Sequence, residues 1–481
     1  MVIANLLRSL SNTISGIKPS AVRRAVNTVI IPTIFYGIEA WLLDDAAAAG
    51  RGRLSQITRT RIIAIQSCLN TACRAILPVW KTTPQVYMWR EAGIPAAEDL
   101  IRAARSRISL RIATLDRRHP IRERLDDFER RCALDAHPEI HRFVMSRHIR
   151  LLGLSALHKD IPSVPLIPRR YNTNITTILN KYIKDIETKL HLQWLESRPE
   201  GYIVYSDGSK LEDRRAGYGF VVYKDSIQID SGSRQLDHRE VFDAEISGAL
   251  KGLKQAMAHN LERLPVTICI DNSSVVRGIG GTAPMSSQAQ FRAFQAIGDE
   301  HPRLITVRWT PGYKDIPGNE AADSLAKAGA ALPVRDLTAS VSQRRREARA
   351  TLALLFKEWW EGVDKHAYLD RKIDLKGDLL KLPELEMPRI QLRHLLAART
   401  THGDFADYHI RFHHHDASLE CSCGRERSPT HLFYCRKVPV GLRARLSPDP
   451  QSTIGRFLGS QYKVFNRIAG VYFKHICAQW C

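Results

Sequence analysis

Four acidic side chains in the middle of the chain stand where acids are costly. Asp207 closes the apolar run YIVYS that begins at Tyr202, and Asp271 closes a second run, PVTICI. Glu245 shares an apolar helical stripe with Val241, Ala244, Ala249 and Leu253, and Asp323 falls in the first turns of a helix opened by GNEAAD. A carboxylate is strongly destabilising when buried without a partner, and four brought together bare would repel one another. A divalent cation removes that conflict. Ligation by carboxylate oxygens with water left on the metal suits Mg²⁺ or Mn²⁺ better than zinc. Two such ions about 3.5–4 Å apart activate a water and stabilise a leaving oxygen in phosphodiester hydrolysis.

A second constellation lies near the C-terminus. Cys421, Cys423, His431 and Cys435 supply four ligands of the type zinc prefers, in a Cys-x-Cys-x7-His-x3-Cys spacing. Gly424 permits the tight turn the first pair needs, and the spacing predicts that His431 and Cys435 share one helix face. Arg425, Arg427, Arg436 and Lys437 beside them suit phosphate contact. The plainer reading is a set of buried free thiols. The run His413, His414 and His415 reads as a polar loop. The nine cysteines are odd in number and form no disulfide framework, which fits a reducing, intracellular compartment, nuclear and cytoplasmic locations both remaining open.

The elements around the acids must bring them to one place. Residues 202–209, 217–223 and 227–233 read as three antiparallel strands, the last two joined by a tight turn at Lys224-Asp225-Ser226. A helix carrying Glu245, the strand ending at Asp271, a helix opened by Asn272-Ser273, a strand through Trp309 and the helix of Asp323 follow. The expected fold class is therefore α/β: a five-stranded mixed sheet with flanking helices, with its site at the strands' carboxyl ends. Backbone groups at Gly208 and Ser209 and the side chain of Asn272 adjoin the acids and are expected to contact substrate.

Charge divides along the same lines. The 481-residue chain carries a formal charge of +21, of which residues 1–197 hold +13, 198–332 hold −1 and 333–481 hold +9. Basic flanks suit a polyanionic partner, nucleic acid above all, although solvated helix faces would show the same excess. Hydrophobic residues at 44% and charged residues at 25% exclude a wholly disordered chain. No stretch reads as a signal peptide or a membrane span.

The blocks YSDGS, FDAEISGAL, ICIDNSSVV and WTPGYKDIPGNEAADSLAK are together highly specific. Residues 202–330 resemble a type-1 ribonuclease H domain of the kind appended to reverse transcriptases of non-LTR (LINE-type) retrotransposons. The resemblance implies a ribonuclease H-like fold and a two-metal site built by Asp207, Glu245, Asp271 and Asp323. It also implies endonucleolytic cleavage of the RNA strand of an RNA–DNA hybrid, in which the 2′-hydroxyls of one strand are recognised. One departure stands out: Tyr313 occupies the place where the family has a histidine that assists proton movement or product release. Tyrosine is a poor proton carrier near neutral pH, so slow turnover is expected, with metal binding intact.

The flanks fit the same resemblance. Residues 54–77 and 96–115 show helical periodicity, and the prolines of IPSVPLIPRR (161–170) mark a connector. The expected organisation is a helical post-polymerase region (1–160), a linker with a connecting helix (161–197), a ribonuclease H domain (198–332) and a basic helical region (333–481). Residues 421–435 resemble the CCHC zinc knuckle that follows the nuclease in related elements. Asp44 and Asp45 look like a polymerase pair, but they read as a solvated loop, because the residues before them are helical and supply no partner acid. A reverse transcriptase would then be supplied by a separate chain. The competing reading is a non-catalytic, nucleic-acid-binding remnant of such an element.

Overall fold

A computed structural model of the chain describes residues 2–12, 14–38, 56–134, 173–179, 184–237, 239–312, 316–333, 340–380 and 382–477. Asp44, Asp45 and Tyr313 lie outside them. Two compact units emerge. One joins Met1–Arg105 to Arg349–Cys481; the other is Ser106–Ala348. Residues from the two ends of the chain, separate regions in the sequence reading, thus share one unit.

The second unit is built on a six-stranded sheet: β1 (Thr176–Ile178), β2 (Tyr202–Lys210), β3 (Ala216–Lys224), β4 (Ile227–Gln235), β5 (Val266–Ile270) and β6 (Ile305–Trp309), in the order β1-β6-β5-β2-β3-β4. β2, β3 and β4 form an antiparallel meander, while β1, β6, β5 and β2 run parallel. Asp225 and Ser226 both take positive φ in the β3–β4 turn (51° and 65°), matching the strands' right-handed twist. The sheet has one strand more than the five expected. β1 is three residues long and two of them are exposed, so it carries no hydrophobic alternation that a sequence could reveal. It comes from the stretch read as linker.

Among the described helices, the first to follow β1 are α1 (Lys184–Glu196), α2 (Val241–His259), α3 (Ser273–Ile279), α4 (Gln288–Glu300), α5 (Pro317–Ala331) and α6 (Val341–Gly362). Both sheet faces are covered, which is why β2 reads as an almost unbroken apolar run. Tyr202 and Val204 point into a core shared with Ala244, Ala249 and Leu253 of α2 and Phe291 and Phe294 of α4. Ile203 and Tyr205 point the other way, to Ala322 of α5 and to Leu192, Trp194 and Leu195 of α1. α1 is further fastened by His191, whose Nε2 lies 2.9 Å from the Tyr205 hydroxyl, and by Arg308 over the Trp194 ring.

Two glycines set how close the helices come. A Cβ on Gly208 would lie 2.6 Å from the backbone nitrogen of Glu245, and one on Gly219 would lie 2.4 Å from that of Ala326. Helix backbones therefore rest directly on β2 and β3.

In the first unit, helix Gln56–Ile76 falls where periodicity predicts it, as does Ala97–Ala113, which begins in this unit and ends in the other. The fully buried Arg399 joins its two chain segments. Its guanidinium donates to Glu91 Oε2 (2.8 Å), Glu384 Oε1 (2.9 Å) and the Leu458 carbonyl (2.7 Å), and the Tyr368 hydroxyl donates to Glu91 Oε1 at 2.5 Å. Among the described residues no helix is long and apolar enough to cross a membrane.

Candidate metal centres

Parallel pairing of β2 with β5 sets Ser206 opposite Ile270, so Asp207 and Asp271 emerge together at neighbouring strand ends. The close approach of α2 over Gly208 brings Glu245 to the same point. One carboxylate oxygen from each of Asp207, Glu245 and Asp271 lies within 4.8 Å of the others. The main chain of Asp271 is held by Trp309, whose indole N–H donates to its carbonyl at 2.8 Å.

These acids are in electrostatic conflict. Burial raises the Asp207 carboxyl, Asp271 and Asp323 raise it further, and it reaches about 7 despite a hydrogen bond from the Gly208 amide. Burial and the charges of Asp271 and Asp207 push Glu245 well above the usual carboxylate range, against a hydrogen bond from Asn272. Burial also raises Asp271, with the Lys184 ammonium opposing. Glu245 is 3% exposed, and among the described residues its Oε2 has no hydrogen-bond partner. Oxygen-only donors, mutual repulsion and an orphaned buried oxygen together fit a divalent cation.

Asp323 stands slightly apart. It lies near enough to raise Asp207, yet its own Oδ2 accepts from Lys327 Nζ at 2.6 Å, one helical turn on. The Asn272 side chain caps α3, accepting from the amides of Ser274 (3.1 Å) and Val275 (3.4 Å). Gly208 is packed under α2, and Ser209 is half-buried beside it. Sequence reasoning missed Lys327, which its i, i+4 spacing from Asp323 signals, and Lys184, which no local pattern marks.

The second constellation also assembles. Cys421 Sγ and Cys435 Sγ are 3.8 Å apart, Cys423 Sγ and His431 Nε2 are 3.2 Å apart, and all four ligand atoms lie within 4.8 Å of one another. A zinc tetrahedron with Zn–S bonds of about 2.3 Å has S···S edges of about 3.8 Å. Gly424 turns the chain with φ +80°, and the Gly424 amide donates to the Cys421 carbonyl at 2.8 Å. His431–Phe433 is a 3₁₀ turn and not the helix expected, yet His431 and Cys435 both reach the cluster. Burial alone would raise the Cys421 thiol, but the Cys423 amide and the Tyr472 hydroxyl outweigh it and lower it, toward the thiolate that metals bind. Arg427, read as a phosphate contact, is buried against Asp404 Oδ2 at 2.6 Å.

Sheet order and the acids at its strand ends define a ribonuclease H-like α/β unit. Residues 199–331 match the family model described as RNase H, and the chain carries an RNase H domain there. No curated protein matches the chain. Among solved structures, the N-terminal RNase H domain of a Mycobacterium tuberculosis protein is 22% identical, with 27% of this chain and 94% of that one covered (TM-score 0.24). RNase H1 of Halobacterium salinarum is 18% identical over 27% of this chain and 96% of its own (TM-score 0.22). The prototype foamy virus protease–reverse transcriptase is 21% identical, over 28% of this chain and 22% of its own (TM-score 0.24).

Proposed function

We propose that the chain is an RNA–DNA hybrid endoribonuclease, its RNase H domain hydrolysing the RNA strand with divalent cations held by Asp207, Glu245, Asp271 and Asp323. The observation that carries this reading is the convergence of three carboxylates around a buried, unpartnered Glu245 oxygen. Bound Mg²⁺ or Mn²⁺ would supply the charge that activates water and stabilises the departing 3′ oxygen. The chain's own part is to hold Asp207 and Asp271 at neighbouring strand ends with Glu245 on the helix that covers them, and to leave Asp323 at the margin, where Lys327 restrains it.

Cleavage of an end-labelled hybrid in Mg²⁺ by the wild type and by Asp271→Asn tests the proposal. Wild-type cleavage that the variant loses is expected. Equal behaviour of the two would remove the catalytic role and leave the non-catalytic remnant. Because Tyr313 replaces the family's histidine, Tyr313→His should cleave faster than the wild type; equal rates would contradict the assigned defect.

We further propose a Zn²⁺ ion at Cys421, Cys423, His431 and Cys435, a retrotransposon ancestry supported by the four motif blocks, and a reverse transcriptase on a separate chain as the source of hybrid. About one equivalent of zinc in the purified chain, lost in Cys435→Ser, is the expected result for the metal. Zinc near zero in the wild type would sink it.

A further inference from the structure

An acid outside the carboxylate cluster governs the first turn of the helix that carries Glu245. Asp243 is fully buried, yet it is densely solvated by protein. It accepts from Ser286 Oγ (2.6 Å), Ser287 Oγ, Ser342 Oγ (3.1 Å) and the Glu240 amide (3.0 Å). Glu240 accepts in return from the Asp243 amide, closing a capping box at the start of α2. The Glu240 carboxylate also pairs with Lys210 Nζ at 3.0 Å and with Arg346. Ser286 and Ser342 share a hydrogen bond of 2.7 Å, and Ser340 joins Ser342 at 3.1 Å.

These partners come from three places: the end of β2, the loop before α4, and the start of α6. The last of them, residues 340–346, lies beyond position 331, where the RNase H match ends. Nothing in the match predicts that this segment belongs to the nuclease.

We propose that Asp243, with the hydroxyls of Ser286 and Ser342, positions Glu245 for cation binding, so that the start of α6 is part of the working nuclease unit. Glu245 lies two residues beyond Asp243, and no donor among the described residues holds its Oε2. Its aim depends on where the first turns of α2 sit. Gly208 lets that helix lie directly on β2, and the Asp243 seam ties its first turn to the loop before α4 and the start of α6. Ligand groups must be held within about 0.5 Å to work, and hydrogen bonds to an anion are strong enough to do so.

The inference rests on the reading of the acids as a cation site, so the test has a readout besides cleavage. Mn²⁺ binding to the full chain is followed by the electron paramagnetic resonance of the free ion, with Asp271→Asn marking the site. Ser286→Ala/Ser342→Ala should weaken Mn²⁺ about tenfold and raise the Mg²⁺ needed for half-maximal cleavage by a similar factor, with the hybrid KM unchanged. Ser342→Thr, which keeps the hydroxyl, should stay near wild type. Unchanged Mn²⁺ affinity in the double variant would overturn the positioning role, and so would a loss that only follows the unfolded fraction in a thermal melt. The single Ser342→Ala variant gives the same readout if the double variant folds poorly. A wild type that cleaves no hybrid, but whose Mn²⁺ binding still falls in the double variant, would sink the hydrolase reading and leave the positioning role standing.

Discussion

Asp207 is ordinary in composition and unusual in place. Its folded carboxyl titrates near 7, against 3.8 when exposed, so between those values the metal-free folded state binds a proton that the unfolded chain has released. Stability contributed by this group is therefore present at low pH and lost as pH rises through 7. The metal-free unit carrying the RNase H domain should melt at a higher temperature near pH 5 than near pH 7.5, and Asp207→Asn should flatten that difference while abolishing the proposed cleavage. Circular dichroism melts in chelator, at both pH values, measure it; parallel pH profiles for the two proteins would count against the buried conflict. Saturating Mg²⁺ should also remove the difference, because the cation replaces the proton. Asp323 differs from the other acids in being paired with Lys327 and standing outside the cluster of Asp207, Glu245 and Asp271. Asp323→Asn should cost less activity than Asp207→Asn or Asp271→Asn, by comparison of kcat/KM.

Among the elements, two that lie outside the matched residues matter as much as those inside. β1 pairs with β6, and α1 covers Ile203, Tyr205 and Cys269 with Leu192, Trp194 and Leu195. A fragment of residues 199–331 would bare that apolar face and lose Ser342, one of the partners of Asp243. It should be markedly less stable and more prone to associate than a fragment of residues 173–348, by urea titration and sedimentation; equal stability would show the added elements to be dispensable. Helix placement over β2 and β3 is a question of single atoms. Gly219→Ala inserts a methyl against the backbone of α5 and should destabilise the unit by about 1–3 kcal/mol. Gly208→Ala should cost a similar amount and displace Glu245 as well, weakening metal binding where Gly219→Ala spares it.

At the scale of the whole molecule, Met1–Arg105 and Arg349–Cys481 hold one another through buried charge. Arg399→Ala leaves Glu384 buried without its cation and Glu91 with the Arg90 cation alone, and should destabilise the first unit by about 3–5 kcal/mol, with the calorimetric transition of the unit carrying the RNase H domain unmoved. A shift of both transitions would refute independent units. Much of this protein was legible in its sequence. The α/β class, the meander, the four acids and the spacing of Cys421, Cys423, His431 and Cys435 all follow from local pattern, because strand alternation, helix periodicity and ligand spacing are written within a few residues. The sixth strand, the covering helix α1, the burial of Arg427 and the serine seam around Asp243 were decided only by tertiary structure. Each depends on residues distant in sequence, or on a burial that no local pattern encodes. The sequence by itself determined which acids could hold a metal. How near each stands to the others, and what holds Glu245 in place, was decided when the sheet closed and the helices settled onto glycine.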